Sequence, residues 1–348
     1  MTTSRRRLLL CTLLAALSAT RAQPGAYFRH KTVLIPHDDK KFRGGEDAAS
    51  TSDTMLVVAD GVGGWARHGV NPGLFSRKLT STVLKLDEEN TKNSTLVEIV
   101  HTANWRSARE HLGSATCTVV KIQGWDTIST LNVGDSGYAH FRVAAPADDG
   151  DDDATLDPSS LQLLFESVPG QKGFNYPYQL GGKNGDQVAD AAVLADHKFE
   201  HGDVIVTFSD GVSDNLFIKN FDKCLLSYMD KSAAADKDWA NLFTSYSLPA
   251  DCIARTAYFL GKDPTLDSPF AQGARKIGKR YHGGKHDDIT VTVAQVFIGD
   301  PTDAETMGVV EDDPHYSDSI HIYTGPVGTV EDLPKPAPRK PVAAHTEL

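Results

Sequence analysis

Hydrophobic and polar residues follow two different periods along this chain. Runs rich in β-branched residues, bounded by Gly, Pro or Asp, predict strands at 27–35, 53–60, 115–122, 127–133, 138–143, 204–208 and 289–297. Apolar residues that recur at a helical period predict helices from residue 73 onward and at 95–111, 221–230 and 238–261. Strands and helices come in groups without regular alternation. The pattern therefore predicts an α+β fold in which helices cover mainly antiparallel sheets.

The two ends of the chain differ in composition from residues 27–299, which we predict to be the folded domain. An arginine triplet at 5–7 precedes an apolar stretch that is shorter than the ~20 residues needed to span a bilayer. We expect 1–22 to be a cleavable leader, with a secretory signal peptide favoured and a mitochondrial presequence as the alternative. Acids, prolines and small residues predict a disordered tail at 300–348. No stable transmembrane span is predicted.

Composition narrows the class of protein. The chain has 40% hydrophobic and 23% charged residues, which is typical of a globular protein. A net charge of -11 argues against general nucleic-acid binding, because phosphate backbones are bound by clustered Lys and Arg. Part of the acidic excess lies in 144–160, which we predict to be a surface insertion; a calcium-binding module at 148–157 is an alternative. Cys117, Cys224 and Cys252 match no zinc pattern, so structural thiols are expected.

Several predicted strands have an aspartate at one end. Apolar runs end near Asp60, Asp135 and Asp210, and Asp287 comes shortly before the last strand. A single Asp-Gly pair is typical of a turn, but several strand ends of this kind could converge on one site. Magnesium and manganese prefer carboxylate, carbonyl and water oxygens. Since a pair of such ions activates water for in-line displacement, hydrolysis of a phosphate ester is the expected reaction class.

The order of the short motifs resembles the 2C-type metal-dependent serine/threonine protein phosphatases, the PPM family. The motifs are Gly45-Glu46-Asp47-Ala48, Val58-Ala59-Asp60-Gly61-Val62-Gly63-Gly64-Trp65, Gly113-Ser114-Ala115-Thr116, Asn132-Val133-Gly134-Asp135-Ser136-Gly137, Ser209-Asp210-Gly211-Val212-Ser213-Asp214-Asn215 and Gly284-Lys285-His286-Asp287-Asp288-Ile289-Thr290. The similarity runs from about Arg43 to Val296. The sequence motif around Asp60 is similar to that of the family branch with mitochondrial members. The resemblance implies a four-layer α-β-β-α sandwich, with two antiparallel sheets flanked by helices.

The resemblance also implies which residues bind metal. Two magnesium or manganese ions are expected at Asp47, Asp60, the Gly61 carbonyl, Asp210 and Asp287. Asp135, together with Asp210 and Asp214, matches a more weakly bound third ion, although Asp214 could equally cap the helix that follows it. Glu46 and Asp288 are weaker candidates that would support the ligands.

Phosphate binding and proton transfer involve residues that depart from the family pattern. Arg43 lies four residues before Asp47, one position from the common spacing, and we expect its guanidinium to bind the substrate phosphate. The alternative is that Arg43 is a cationic residue of a surface loop and does not bind phosphate. Val62 stands where many members have a histidine that protonates the leaving oxygen, a change that the mitochondrial-type branch shares. Water on the metal, or less favourably His68, is expected to replace it, and His286 is expected to be a loop histidine.

Together these features predict a monomeric phosphatase that acts on phosphoserine and phosphothreonine in proteins. The resemblance implies attack by a metal-bridging hydroxide, without a covalent phosphoenzyme. The alternative is a pseudophosphatase that keeps the scaffold and binds partners. Loss of a ligand would mark that alternative, and all the side chains assigned to metal are acidic here.

Overall fold

The computed structural model describes residues 25–90, 93–144, 160–182, 185–299, 320–323, 325–333 and 335. The strands are β1 (Ala26–Ile35), β2 (Ala48–Thr51), β3 (Met55–Ala59), β4 (Ser114–Ala115), β5 (Cys117–Gln123), β6 (Thr127–Val133), β7 (Gly137–Val143), β8 (Leu161–Glu166), β9 (Gln171–Gly173), β10 (Tyr176–Pro177), β11 (Leu180–Gly181), β12 (Val193–Lys198), β13 (Val204–Phe208), β14 (Ile289–Ile298) and β15 (Ile320–Ile322). The helices are α1 (Pro72–Glu88), α2 (Leu96–Glu110), α3 (Val188–Ala191), α4 (Asp210–Ser213), α5 (Phe221–Tyr228), α6 (Lys231–Ala235), α7 (Ser247–Lys262) and α8 (Pro269–Lys276). Short 3-10 helices lie at Asp38–Arg43, Gly63–His68, Ile218–Asn220, Trp239–Asn241 and Val330–Asp332.

Most of the described strands form two sheets. The six-stranded sheet has the order β15-β1-β14-β13-β7-β8, and the five-stranded sheet has the order β12-β6-β5-β3-β2. Neighbouring strands in both sheets are antiparallel, except that β15 pairs parallel with β1. Two short pairs, β9 with β10 and β4 with β11, complete the pairing. The predicted predominance of antiparallel pairing is confirmed.

Successive side chains of each strand point to opposite faces of the sheet, so each sheet contacts one layer on either side. In β14, Val291 and Val293 pack with α5 and α7, whereas Ala294 and Val296 belong to the core between the two sheets. Leu56 of β3 reaches the same inter-sheet core, and α1 and α2 cover the outer face of the five-stranded sheet. The helices therefore lie outside two face-to-face sheets. This arrangement confirms the predicted four-layer α-β-β-α sandwich.

Capping residues explain where the first two helices begin. Asn71 accepts a hydrogen bond from the Gly73 amide at 3.1 Å, and Pro72 occupies the first helical position, where its missing N–H is not needed. Thr95 and Glu98 form a reciprocal capping box at the start of α2. The helices predicted from residue 73 and at 95–111 are confirmed.

The helix predicted at 238–261 is wrong at its start. The structure has a 3-10 helix at Trp239–Asn241, and α7 begins only at Ser247. Pro249 explains the difference, because a proline is tolerated in the first turn but disrupts a helix interior. A helix that contains Pro249 must therefore begin shortly before it.

The expectation of structural thiols is also wrong for two cysteines. Cys224 of α5 and Cys252 of α7 form a disulfide, with their Cα atoms 5.7 Å apart. Cys117 is buried in β5 and is the free cysteine among the described residues. Separation along the chain could not reveal this pairing, because it depends on how α5 packs against α7.

Part of the predicted disordered tail is ordered. Residues Ile320–Ile322 form β15 beside β1, and the Tyr323 hydroxyl lies 3.0 Å from both carboxylate oxygens of Asp251 on α7. Leu333 is buried against the same helix layer. The disorder prediction is wrong for these residues.

Three predicted segments lie wholly or mostly outside the described residues: the leader 1–22, the insertion 144–160 and the tail 300–348. Their boundaries therefore stay predictions. None of the described helices has both the length and the apolar character that a membrane span requires.

Candidate functional site

The aspartate-bearing strand ends meet at one end of the sandwich. The start of β2 pairs with the end of β3 through Ala48 and Ala59, and the start of β7 pairs with the end of β13 through Gly137 and Phe208. The start of β14 lies beside the same end of β13. We use the name carboxylate cluster for six aspartates, of which five flank these strand ends and Asp214 follows α4: Asp47, Asp60, Asp135, Asp210, Asp214 and Asp287.

Hydrogen bonds between strands hold the first two aspartates in place. The Thr290 hydroxyl of β14 donates to Asp47 Oδ2 at 2.8 Å, which joins the two sheets at this point. The Asp60 amide donates to the Thr116 hydroxyl at 2.9 Å. Next to it, a Cβ on Gly61 would lie 2.6 Å from the Glu46 carbonyl oxygen, so this close approach of two chain segments requires glycine.

Burial makes negative charge unfavourable in the carboxylate cluster. Burial, with repulsion from neighbouring carboxylates, raises the pKa of Asp47 to about 8 and the pKa of Asp135 to about 7. Burial likewise raises the pKa of Asp214 to about 8 and the pKa of Asp60 well above its ordinary value. Negative charge is therefore unfavourable here unless a positive charge offsets it. A bound divalent cation would do so.

The carboxylate cluster has the chemistry that magnesium or manganese requires. In the described parts of the chain, three buried oxygens of the cluster lack a hydrogen-bond partner: Asp47 Oδ1, Asp135 Oδ1 and Asp210 Oδ1. Within the same residues, no group of three or more Asp, Glu, His or Cys side chains is arranged to hold an ion by itself. Magnesium keeps several of its waters and needs few direct carboxylates. The cluster therefore fits a hydrated ion.

Two lysines that the sequence analysis missed lie at the carboxylate cluster. Lys285 Nζ is 2.6 Å from both Asp210 Oδ2 and Asp214 Oδ2. Lys40 Nζ is 2.8 Å from Asp288 Oδ2 and 3.3 Å from Asp287 Oδ1. Burial acts in the opposite direction, but these two lysines lower the pKa of Asp287 below its ordinary value. Lys285 belongs to the last motif of the family resemblance, Gly284 to Thr290, and that position is the signal that could have drawn attention to it.

Arg43 and Glu46 form an ion pair beside the cluster. Arg43 Nη2 donates to Glu46 Oε1 at 2.6 Å, and Lys40 Nζ lies 2.7 Å from Glu46 Oε2. Asp288 accepts hydrogen bonds from the backbone amides of His37 and Glu46 at 2.7 and 3.1 Å. Asp288 therefore holds the loop that carries Arg43 in place. The phosphate-binding role of Arg43 stays a prediction.

The residues considered for proton transfer lie in different surroundings. Val62 is half-buried, and its amide donates to the Ser114 carbonyl at 2.9 Å. His68 is exposed, and its ring meets Trp65 edge-on with centroids 6.2 Å apart. The His286 ring packs at a tilt against the His37 ring, with centroids 4.1 Å apart. The contacts of His286 agree with a packed loop residue.

The structure thus brings together all six side chains that were predicted to bind metal, and it places Gly61 beside them. Gln171, which the sequence analysis also missed, donates from Nε2 to Asp135 Oδ2 at 2.9 Å. The two-residue strand β4 at Ser114–Ala115 supports the same region through its bridge to Gly61. The roles of these residues as ligands stay predictions.

Fold and site together define a class: an α-β-β-α sandwich with a metal-compatible carboxylate centre at one end. No family model matches the chain. It is 34% identical over 283 residues to "Probable protein phosphatase 2C 1" of Oryza sativa subsp. japonica, across 76% of this chain and 74% of that protein. It is 32% identical over 256 residues to "Protein phosphatase PTC7 homolog" of Xenopus laevis, across 70% of this chain and 76% of that protein.

Two further similarities concern a plant protein and a solved structure. The chain is 33% identical over 271 residues to "Probable protein phosphatase 2C 80" of Arabidopsis thaliana, across 76% of this chain but only 58% of that longer protein. It is similar to the X-ray structure of the photosystem II phosphatase PBCP, with a TM-score of 0.62 and 30% identity over 77% of this chain and 98% of that one. The chain belongs to the protein phosphatase 2C family of metal-dependent serine/threonine phosphatases.

Proposed function

We propose that this chain hydrolyses phosphoserine and phosphothreonine in proteins, with two magnesium or manganese ions at the carboxylate cluster. The ions would be held by Asp47, Asp60, the Gly61 carbonyl, Asp210 and Asp287, with waters completing their coordination. The observation that carries this proposal is the convergence of buried carboxylates from both sheets, three of whose oxygens have no partner among the described residues. Membership of the phosphatase family supports the same reaction.

The bound ions would supply a nucleophilic water and would offset the charge that develops on the phosphoryl oxygens. The chain itself supplies position and charge. Arg43 is held by Glu46, so its remaining N–H groups can bind phosphate oxygens without a large loss of side-chain freedom. The Thr290 hydroxyl and the Thr116 hydroxyl fix the positions of Asp47 and Asp60.

Protonation of the leaving oxygen does not depend on a histidine at position 62, because valine carries no proton to donate. We propose that water at the centre takes this role rather than His68, which is exposed and packs against Trp65. His68→Ala should therefore leave the pH profile of kcat unchanged. Loss of the basic limb of that profile in His68→Ala would instead assign the role to His68.

The direct test is hydrolysis of an aryl phosphate and of a phosphothreonine peptide. The wild-type chain should turn over both with manganese, and chelation should abolish turnover. Asp210→Asn should lower kcat/KM by at least ~100-fold, because it removes a charged ligand. Asp196→Asn is the matched control, since Asp196 is exposed on β12, the edge strand of the five-stranded sheet. Full turnover in chelator, or an active Asp210→Asn, would reject the proposal.

We also propose that the protein enters the secretory pathway, with the mitochondrion as the alternative destination. The basic start followed by an apolar stretch supports a signal peptide. The Cys224–Cys252 disulfide also supports this destination, because such bonds persist mainly in oxidising compartments. Translation with microsomes should yield a protease-protected product shortened near Ala22. Import into isolated mitochondria without microsomal processing would reject the secretory proposal.

A further inference from the structure

Lys285 introduces a positive charge into the part of the carboxylate cluster that was predicted to hold a third ion. Its Nζ lies 2.6 Å from Asp210 Oδ2 and 2.6 Å from Asp214 Oδ2. It also lies 3.5 Å from Asp287 Oδ2. A lysine ammonium has three N–H donors, so it can face three carboxylates at once.

Contacts at the backbone hold Lys285 in this position. The Lys285 amide donates to Asn215 Oδ1 at 2.7 Å, and Asn215 Nδ2 donates back to the Lys285 carbonyl at 2.7 Å. Asn215 Nδ2 also donates to the Gly211 carbonyl of α4 at 2.8 Å. A Cβ on Gly284 would lie 2.0 Å from the Leu260 carbonyl oxygen, so the preceding residue packs directly on α7. The lysine is therefore fixed relative to α4, the helix that begins with Asp210.

The oxygens of these aspartates divide into two groups. Asp210 Oδ2 and Asp214 Oδ2 accept from the ammonium, and Asp135 Oδ2 accepts from Gln171 Nε2 at 2.9 Å. In contrast, Asp210 Oδ1 is buried and has no partner in the described residues. One carboxylate oxygen of Asp210 thus contacts the ammonium, and the other remains available to an ion of the proposed pair.

We propose that the Lys285 ammonium takes the place of the third metal ion, so that the centre binds two divalent cations and carries one permanent ammonium. This inference rests on the proposed function. Contacts with three carboxylates favour the charged form of the Lys285 side chain. Because it is covalently attached, its charge does not depend on the metal concentration.

The test counts bound ions rather than turnover. Manganese binding to the metal-free full chain is measured by calorimetry and by the electron paramagnetic resonance of free manganese, up to millimolar concentration. The wild-type protein should bind two ions. Lys285→Met removes the ammonium but keeps the length of the side chain, so it should bind a third. Lys279→Met is the control and should bind two, because Lys279 is exposed and lies over the Phe174 ring.

Asp214→Asn provides a second measurement that does not depend on the folding of Lys285→Met. If Asp214 contacts only the ammonium, the variant still binds two ions. The inference would be overturned if the wild-type protein bound three manganese ions and Asp214→Asn bound two. It would also be overturned if Lys285→Met folded and bound only two ions. Absence of manganese-dependent hydrolysis would reject the proposed function separately, and a wild-type protein that binds no ion would reject both.

Discussion

Asn215 links α4 to the segment that carries Lys285 and Asp287, so removal of its side chain should lower the stability of the protein. The side chain is 2% exposed and makes three hydrogen bonds of 2.7 to 2.8 Å to the backbone of Gly211 and Lys285. Each such bond contributes a net ~1 kcal/mol to stability, so Asn215→Ala should lower the free energy of unfolding by about 3 kcal/mol. For a domain of this size, that loss corresponds to a decrease in Tm of about 5 °C.

Urea denaturation of the two proteins without metal, followed by tryptophan fluorescence and far-UV circular dichroism, measures this loss directly. Gln123→Ala is a suitable control, because Gln123 is an exposed amide side chain at the end of β5 and its removal should change stability by less than ~0.5 kcal/mol. Displacement of the Lys285 segment should also reduce phosphatase turnover in Asn215→Ala. A loss below ~1 kcal/mol with unchanged turnover would show that these hydrogen bonds do not hold the segment.

Other predictions concern phosphate binding, pH and the disulfide. Arg43→Ala should lower kcat/KM for aryl phosphate by about 10–100-fold, as expected for a hydrogen bond to a charged group, and a change below twofold would contradict its assignment. Burial lowers the pKa of His30 from 6.5 to about 4, so the unfolded chain binds more protons in this interval and stability decreases as the pH falls through it. His30→Gln should remove up to about 3 kcal/mol of that decrease between pH 7 and pH 4, measured by urea denaturation, and an unchanged pH dependence would refute the role of His30. Reduction of the Cys224–Cys252 disulfide, which joins residues 28 apart in sequence, should lower stability by about 3.5 kcal/mol. The Cys224→Ser/Cys252→Ser variant should show the same loss and no further response to dithiothreitol, whereas equal Tm values with and without dithiothreitol in the wild-type protein would contradict this.

Local patterns were sufficient to predict an α+β fold of mainly antiparallel strands and the position of its acidic residues, whereas the four-layer arrangement was implied by the family resemblance. The strands at 127–133 and 204–208 coincide with β6 and β13, because their β-branched runs begin after an aspartate and end before Gly134 and before Ser209-Asp210-Gly211. Asp60 directly follows β3 and Asp210 is the second residue after β13, so the antiparallel pairing of those strands determines which end of the sandwich they reach. Here a local pattern and simple topology together specify where the carboxylates lie.

Features that depend on long-range packing could not be predicted in the same way. A lysine in a polar loop is typically solvated, so only the assembled structure shows that Lys40 and Lys285 contact buried carboxylates. The strand at Ile320–Ile322 has three residues and pairs with β1 from the opposite end of the chain, so it has no usable local signal. The start of α7 is different, since Pro249 was visible in the sequence and its restriction to a first helical turn could have corrected the predicted boundary.

The segment from Gly284 to Asp288 explains how one region can carry so much negative charge and still fold. It contributes Asp287 to the carboxylate cluster and, two residues earlier, the ammonium of Lys285. Isolated burial of either charge would be strongly unfavourable, whereas an ion pair with several well-placed acceptors offsets part of the desolvation cost. Because both charges belong to one short segment anchored on Asn215, the carboxylate and its compensating charge reach the site together. The same arrangement leaves Asp210 Oδ1 and Asp47 Oδ1 without protein partners among the described residues, and these are the oxygens that the proposed ions require.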